Sequence, residues 1–398
     1  MAADAGLPQD DLPVRLAHEP EGRAPTERLI ELRDAEQTFT FHGLKERPTI
    51  SLLRGFSAPV RLETDCTDQD LLLRMAYDSD SYCRWDAAQS LSQRHIVQLV
   101  DTIRREQTPT LDPRFVDAFG RALAGDADPQ LLAQALSLPA ESVIADRLDD
   151  VDPRAVHEAR KFVEKALGEK HREVFLRRYE ELTDKGAAYT LDPEAIGRRS
   201  LRNVCLRYLT AAGGFRDGTL ARRQFEAATN MTDMIAALAV LVHVESEDRN
   251  SALTSFYERF RDEALVVDKW FSVQATSQRE QTLDEVVGLL SHPAFQLDNP
   301  NRARSLIDSF AVLNQVRFHD PSGRGYVFLR ERVLEIDRFN GQVAARMVGP
   351  LTRFQRYEPK RRALMIGELT RILDQSTLSN DLEEQVRKAV QAARTTKA

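Results

Sequence analysis

The spacing of apolar residues divides the chain into a short extended part and a long helical part. Between Arg28 and Glu63, β-branched and aromatic residues alternate with polar ones, most clearly in Thr38–Phe41 and in Val60–Leu62. This alternation, punctuated by Gly and Pro, predicts three or four short strands. So few strands do not complete a sandwich. We therefore predict a small or truncated Ig-like β-sandwich domain over residues 27–65.

The first 26 residues carry four prolines among acidic and small residues. Such a composition buries too little apolar surface to order itself, which predicts a poorly ordered N-terminal segment over residues 1–26. Val14 and Leu16 nevertheless alternate with polar neighbours, a pattern that suits a remnant edge strand without its partners. Both interpretations stay open at this point.

After Thr67 the apolar spacing becomes helical and stays so to the end of the chain. Within residues 81–106 the apolar residues recur every three to five positions and predict one amphipathic helix: Tyr82, Trp85, Ala88, Leu91, Ile96, Leu99 and Ile103. Further helices follow, with short turns and no strand pattern between them. The sequence thus predicts a mainly α fold, a HEAT/armadillo-like α-solenoid over residues 66–398 with degenerate repeats.

Several helix starts can be read directly from the sequence. An Asp side chain can cap the first turn of a helix, and a following Pro loses nothing there because its missing N–H has no helical partner. Four Asp-Pro pairs fit this pattern, beginning at Asp112, Asp128, Asp152 and Asp192. The last helix is predicted to begin near Ser379, with acidic residues in its first turn and basic residues later.

Charge and cysteine content narrow the classes of partner. The 398 residues carry a net charge of −7, with a pI near 5.8, which argues against nucleic acid or an anionic membrane as the main partner. The three cysteines form no CxxC pair and suit a reducing cytoplasm. The chain has no run of 18 apolar residues and no signal-peptide pattern at its start. We predict a cytoplasmic protein that binds neither membranes nor nucleic acid.

Known catalytic motifs are absent from the sequence. A zinc peptidase usually supplies two histidines one helical turn apart, with a glutamate that activates water, as in HExxH. None of the eight histidines begins this motif, and no GxSxG, Walker-type loop or GxGxxG occurs. Cys205 lies in the apolar run RNVCLRYL and is predicted to be an inert buried thiol. No catalytic residue and no metal ligand is therefore predicted in this chain.

Arginine is frequent in the last hundred residues, and most of these side chains should be solvated or paired with carboxylates. Arg304 and Arg346 differ, because each is flanked by small and apolar residues in a predicted helix. A guanidinium in such a place could bind a peptide carboxylate or carbonyl. These two arginines are the candidate substrate-binding residues.

A set of sequence blocks closely resembles the C-terminal half of the aminopeptidase N family, which consists of a β-sandwich and a helical solenoid. The resemblance runs in order from about Glu27 to the C-terminus, through AEQTFTF, FSAPVRLE, RWDAAQSL, RSLRNVCLRYL, ATNMTD, VVDKWF, NPNRARSLI and QVAARMVGPL. Members of this family are zinc exopeptidases that remove N-terminal residues from peptides.

The resemblance implies that the C-terminal part and the catalytic domain of these enzymes have different functions. In the family, the solenoid closes over a separate catalytic domain and restricts its cavity to peptides. Cavity-facing arginines of the family align with Arg304 in NPNRARS and Arg346 in QVAARM. The family's GAMEN and HExxH motifs are missing here, so the resemblance implies no cofactor in this chain, with zinc held by the catalytic domain. No activity is expected from this chain alone.

Three functions remain open from the sequence. The first is the cavity-closing part of a zinc aminopeptidase, with the catalytic domain joined in cis or bound in trans and peptides passing through the cavity. The alternative is a free-standing helical scaffold that binds a peptide or protein partner in its groove. An unrecognised hydrolase is the third.

Overall fold

Helices make up most of the residues that the structure, a computed structural model, describes: 11–20, 22, 24–44, 47–184, 186, 189–213 and 215–395. In chain order the α-helices are α1 Asp68–Tyr77, α2 Ser81–Arg104, α3 Pro113–Ala124, α4 Pro129–Leu136, α5 Glu141–Ala145, α6 Pro153–Lys170, α7 Arg172–Glu181, α8 Pro193–Ala211, α9 Phe215–Ala227, α10 Met231–Leu241, α11 Glu247–Phe260, α12 Ala264–Ala275, α13 Thr282–Leu289, α14 Pro300–Ala303, α15 Gln315–Phe318, α16 Arg324–Asp337, α17 Gly341–Met347, α18 Gly349–Thr352, α19 Pro359–Leu373 and α20 Asn380–Thr395. A π-helix, Arg304–Leu313, lies between α14 and α15, and short 3-10 turns occupy Arg54–Phe56 and Phe354–Arg356. The mainly α, solenoid-like prediction is confirmed.

The strand predictions were only partly correct. Two strands of two residues each, β1 Arg15–Leu16 and β2 Phe41–His42, form one antiparallel ladder, with Leu16 opposite Phe41. Val60–Leu62, predicted as a strand, forms none. Such short extended stretches need several partners to become a stable sheet. Leu16 does lie in a strand, but that strand has a partner, and residues 1–10 fall outside the described part of the chain.

The Asp-Pro pairs cap helices as predicted. Each aspartate accepts a backbone hydrogen bond in the first turn of its helix, at Asp112 for α3, Asp128 for α4, Asp152 for α6 and Asp192 for α8. The final helix also begins as predicted, because Ser379 accepts a hydrogen bond from the backbone N–H of Leu382 at 3.2 Å. Local sequence therefore determines where these helices begin.

The segment before α1 is attached to the first two helices. The guanidinium of Arg54 lies 3.0 Å from the carboxylate of Asp78, and the N–H of Gly55 donates to Asp80 at 2.9 Å. The rings of Phe56 and Tyr82 pack with centroids 5.1 Å apart. These contacts join the N-terminal segment to the start of the solenoid.

Equivalent helices of neighbouring repeats run parallel, as α12 and the π-helix show. Near their N-terminal ends, Arg302 Nε lies 3.0 Å from Asp268 Oδ1. Further along, the hydroxyls of Ser272 and Ser309 are 2.8 Å apart. At the C-terminal ends, Asn314 donates to the carbonyl of Ala275 at 2.9 Å. The contacts advance in the same direction along both helices, which is the arrangement of a stacked helical repeat.

The solenoid closes on itself through a contact that we call the clasp, formed by residues 146–152 and 356–362. Val151 forms a parallel bridge with Tyr357, because its N–H donates to Arg356 O at 2.8 Å and its carbonyl accepts from Glu358 N at 3.2 Å. Arg362 reaches Asp150 at 3.1 Å. The intervening helices therefore form a ring.

A buried arginine and histidine lie at the centre of the clasp. Arg361 is 6% exposed, donates to His319 O at 2.6 Å and reaches Asp152, 209 positions away in sequence, at 3.2 Å. His319 Nδ1 lies 2.8 Å from the hydroxyl of Tyr326. Burial lowers the pKa of His319 well below its usual value, and the neighbouring positive charge of Arg361 adds to that effect. The histidine is therefore neutral in the folded protein at neutral pH.

Within the described residues, no helix combines the length and the apolar character that crossing a bilayer requires.

Replacing Arg361 with Met tests the clasp. The substitution keeps an apolar stem but leaves His319 O and Asp152 without this donor, and breaking a buried pair from one side costs ~3 kcal/mol. We expect a clearly lower urea midpoint by circular dichroism. Arg353→Met is the matched control, since the Arg353 side chain is exposed and forms no hydrogen bond or salt bridge in the described structure. Equal midpoints for the two variants would show that the clasp does not hold the ring.

Candidate substrate-binding site

Most arginines named in the last hundred residues have partners, as expected. Arg302, Arg317, Arg324, Arg330, Arg332, Arg356, Arg361 and Arg362 each bind a carboxylate or a backbone carbonyl. Four have side chains that form no hydrogen bond or salt bridge among the described residues, namely Arg304, Arg338, Arg346 and Arg353. Both candidate substrate-binding arginines thus belong to the small set with unused donors.

Arg304 and its neighbour Arg302 show why one is structural and the other is available. Residues two apart on a helix point about 200° apart around its axis. Arg302 is 7% exposed, pairs with Asp268 and stacks over the ring of Phe271 at 5.2 Å. Arg304 leaves the opposite side and is half-buried. The helix therefore fixes the position of the Arg304 backbone, while the guanidinium group has no hydrogen bond or salt bridge to another described residue.

The helix that begins at Arg304 is a π-helix, which the sequence did not reveal. It continues directly from α14, whose N-cap Asn299 accepts from the N–H of Asn301 at 3.0 Å, with Pro300 in the first turn. π-Helical turns are rare and often occur at functional sites. No residue type in Arg304–Leu313 forbids an ordinary α-helix, so no sequence signal could have identified this geometry.

Arg346 lies near the end of α17, beside a groove of about 540 Å³. The groove is lined by Gln342, Ala345, Arg346, Gly349, Asp381, Glu384 and Gln385, from α17 and α20. The two helices approach closely at Gly341, where a Cβ would lie 2.3 Å from the Ser379 hydroxyl. The positive end group of Arg346 also stabilises the C-terminus of its own helix. The groove thus offers one cation facing two carboxylates.

Arg304 and Arg346 belong to different helices of one packed unit. The helix α16 packs against both the π-helix and α17, so the two arginines are held by a common support. Sequence reasoning selected both residues but did not find the carboxylates near them. Asp308 on the π-helix carried no motif that would have singled it out, and Asp381 on α20 was predicted only as an acidic residue in the first turn of the last helix.

Burial raises the pKa of Asp308 to about 6, and the nearby positive charge of Arg304 opposes that rise. The carboxyl group is half-buried and forms no hydrogen bond or salt bridge among the described residues. An unpaired carboxylate in such surroundings is unfavourable when ionised. Asp308 therefore changes its charge close to neutral pH.

The described residues do not fit a zinc site. No group of three or more His, Cys, Asp or Glu side chains among them is arranged to hold a metal ion. His157 pairs with Glu141 at 2.8 Å, and His243 accepts from the N–H of Gln278 at 3.2 Å. Cys205 is buried, and burial raises the pKa of its thiol to about 12. We derive no step through a metal in this chain.

Comparison with known proteins places this fold in a defined class. Residues 68–391 match the family described as "Domain of unknown function (DUF3458_C) ARM repeats", and residues 9–65 match "Domain of unknown function (DUF3458) Ig-like fold". The protein is thus an ARM-repeat helical domain preceded by an Ig-like segment. It belongs to the aminopeptidase N family and corresponds to the C-terminal part of those proteins, as the sequence blocks predicted.

Curated relatives support this assignment. Aminopeptidase N of Caulobacter vibrioides is 38% identical over 363 residues, covering 91% of this chain and 42% of the relative. Aminopeptidase N of Escherichia coli is 37% identical over 370 residues, covering 93% and 42%. A crystal structure of Legionella pneumophila aminopeptidase A in complex with aspartic acid matches with a TM-score of 0.78 and 28% identity, over 88% of this chain and 41% of that one. The chain spans about two fifths of the length of these proteins.

The raised pKa of Asp308 predicts a pH-dependent effect of Asp308→Asn on stability. An unfolded Asp titrates near pH ~4, so the folded state binds the extra proton between that pH and about 6. Wild-type stability therefore falls through this window and stays lower above it. We expect Asp308→Asn to raise the thermal midpoint by ~2 °C at pH 8 and to leave it unchanged at low pH.

Thermal melts across this pH range measure the effect, with Asp262→Asn as the control. The Asp262 side chain is 94% exposed, so its variant should differ from wild type equally at every pH. A difference for Asp308→Asn that is the same at low and high pH would contradict the burial of its charge.

Proposed function

We propose that this chain is the cavity-closing part of a zinc aminopeptidase that removes N-terminal residues from peptides. It supplies no catalytic residue. The catalytic domain, joined in cis or bound in trans, holds the zinc, and the ring of helices limits which substrates reach it. The observation that carries this proposal is the match to the C-terminal part of aminopeptidase N, with unpaired arginines at the two positions where the family has cavity-facing ones.

Exposed apolar side chains support a large partner surface. Among the described residues before α1, eight large hydrophobic side chains are exposed, namely Leu12, Leu29, Leu32, Ile50, Leu52, Phe56, Val60 and Leu62. A protein that acts alone rarely exposes so many large apolar side chains so close together in its sequence. Their concentration before α1 favours a contact with a further domain on this side of the ring.

The arginines supply the chemistry that the chamber needs for peptides. A guanidinium without an internal partner can donate two parallel hydrogen bonds to a carboxylate, or single ones to carbonyls. In the proposed enzyme, Arg304 and Arg346 bind the part of the peptide that extends beyond the residue being removed. They orient the substrate, while hydrolysis takes place on the catalytic domain.

Association with a catalytic half tests the proposal. The probe is the part of Caulobacter vibrioides aminopeptidase N that precedes the matched region, co-expressed with this chain. We expect a one-to-one complex by analytical ultracentrifugation and amino-acid release from an unblocked tripeptide, abolished by a chelator. No complex and no change in activity would contradict the proposal and favour a free-standing scaffold. Chelator-sensitive hydrolysis by the purified chain alone would favour a separate hydrolase.

Arginine substitutions test the substrate contacts in that assembled enzyme. We expect Arg304→Gln and Arg346→Gln each to raise KM for a short peptide about tenfold, the size expected when one charge-assisted hydrogen bond is lost, with a smaller change in kcat. Arg338→Gln is the matched control, because the Arg338 side chain is exposed and forms no hydrogen bond or salt bridge in the described structure. If KM changes by the same factor in all three variants, Arg304 and Arg346 do not have the proposed role in substrate binding.

A further inference from the structure

Arg304 and Asp308 lie one turn apart on the same side of the π-helix. Side chains four positions apart are neighbours on a helix surface. Leu306, Ile307 and Phe310 point from this helix into the core and are completely buried. Both charged side chains are half-buried at the edge of that core. Among the described residues, Arg304 is the charged group that lowers the pKa of Asp308, against the rise that burial causes.

The other charged groups on the packed helices are engaged elsewhere or exposed. Arg317 binds the carbonyl oxygen of Gln278, and Lys269 is exposed. The remaining charged groups form ion pairs, namely Asp268 with Arg302, Asp284 with Arg324, Glu285 with Arg249 and Arg279, Arg330 with Glu368, and Arg332 with Glu331 and Glu335. The side chain of neither Arg304 nor Asp308 forms a hydrogen bond or salt bridge in the part of the chain that the structure describes. The two groups therefore have each other as their natural electrostatic partners.

We propose that Asp308 is a positioning residue that competes with a peptide carboxylate for Arg304, so that the chamber binds carboxylate-bearing peptide ends more tightly when Asp308 is protonated. This inference rests on the proposed function, because it assumes that Arg304 faces the peptide. It adds a second residue, Asp308, to the proposed peptide-binding site and specifies in which direction pH changes the affinity for the peptide carboxylate. Asp308 does not touch the substrate but acts through the guanidinium.

The competition follows from charge. When Asp308 is ionised, it attracts the Arg304 guanidinium and offsets its charge, which weakens the attraction for a second anion. When Asp308 takes up a proton, the guanidinium keeps its full charge for the peptide. A bound carboxylate in turn favours protonation of Asp308, so binding takes up a proton. Raising the pH above 6 should therefore weaken binding of the carboxylate.

The test uses the assembled enzyme with two matched tripeptides, one with a free C-terminal carboxylate and one with a C-terminal amide. For wild type, we expect the KM advantage of the acid over the amide to shrink about threefold between pH 6 and pH 8, because partly exposed charges interact weakly and Asp308 is already half ionised near pH 6. Asp308→Asn should keep the advantage at both pH values, because an amide cannot ionise. The value of kcat should change little.

Two further variants separate positioning from a general structural effect. Asp308→Glu, unlike Asp308→Asn, keeps an ionisable group at this position and should keep the pH dependence of KM. Asp262→Asn, in an exposed carboxylate, should keep the wild-type profile. If Asp308→Asn shows the same pH dependence as wild type in an enzyme whose KM responds to Arg304→Gln, the Asp308 inference fails alone. If the halves do not assemble, or Arg304→Gln has no effect on KM, the inference fails together with the proposed function.

Discussion

The closure of the helical ring by the clasp is the constraint on which the rest of the structure depends. An open solenoid contacts only its neighbours along the chain, and its curvature is easily changed. The clasp joins residues separated by more than two hundred positions and so fixes the circumference. Its core, Arg361 against His319, is buried, and a buried charge persists only where its donors are used. The helices that carry Arg304 and Arg346 lie within this closed path.

A rigid ring explains how the chain can leave some arginines unpaired. The protein pairs many of its charged groups locally or across helices, and Arg302 is an example, because its guanidinium lies against both Asp268 and the ring of Phe271. Arg304 begins the π-helix and points away from Asp268, and among the described residues its side chain forms no hydrogen bond or salt bridge. Fixed donors without an internal partner are suited to bind an external anion, since little rearrangement is needed on binding. The protonation state of Asp308 then determines how much of the positive charge of Arg304 is available to attract such an anion.

Features that depend on neighbouring residues in sequence could be predicted, and features that depend on distant contacts could not. Helix starts at Asp112 and Asp152 followed from capping chemistry, because the donor and acceptor are two residues apart. The clasp was missed since neither Val151 nor Tyr357 carries a signal of its partner. Strands were overpredicted at Val60, because alternation shows what suits a strand but not whether another strand pairs with it.

The candidate site was also predicted only in part. Arg304 and Arg346 were selected from the resemblance and from their small and apolar neighbours, and neither side chain forms a hydrogen bond or salt bridge with another described residue. The π-helix and the environment of Asp308 depend on how α12, α13 and α16 pack around that segment. Such packing depends on residues that are distant in sequence, so no local sequence pattern predicts it.

The most direct measurement is a cryo-electron microscopy structure of this chain assembled with a catalytic half, in the presence of a non-hydrolysable peptide. We expect the ring to close over the zinc domain, with the guanidinium groups of Arg304 and Arg346 facing the chamber and at least one of them within hydrogen-bond distance of the peptide. A complex in which both arginines lie on the outer surface, away from the zinc and the peptide, would contradict it.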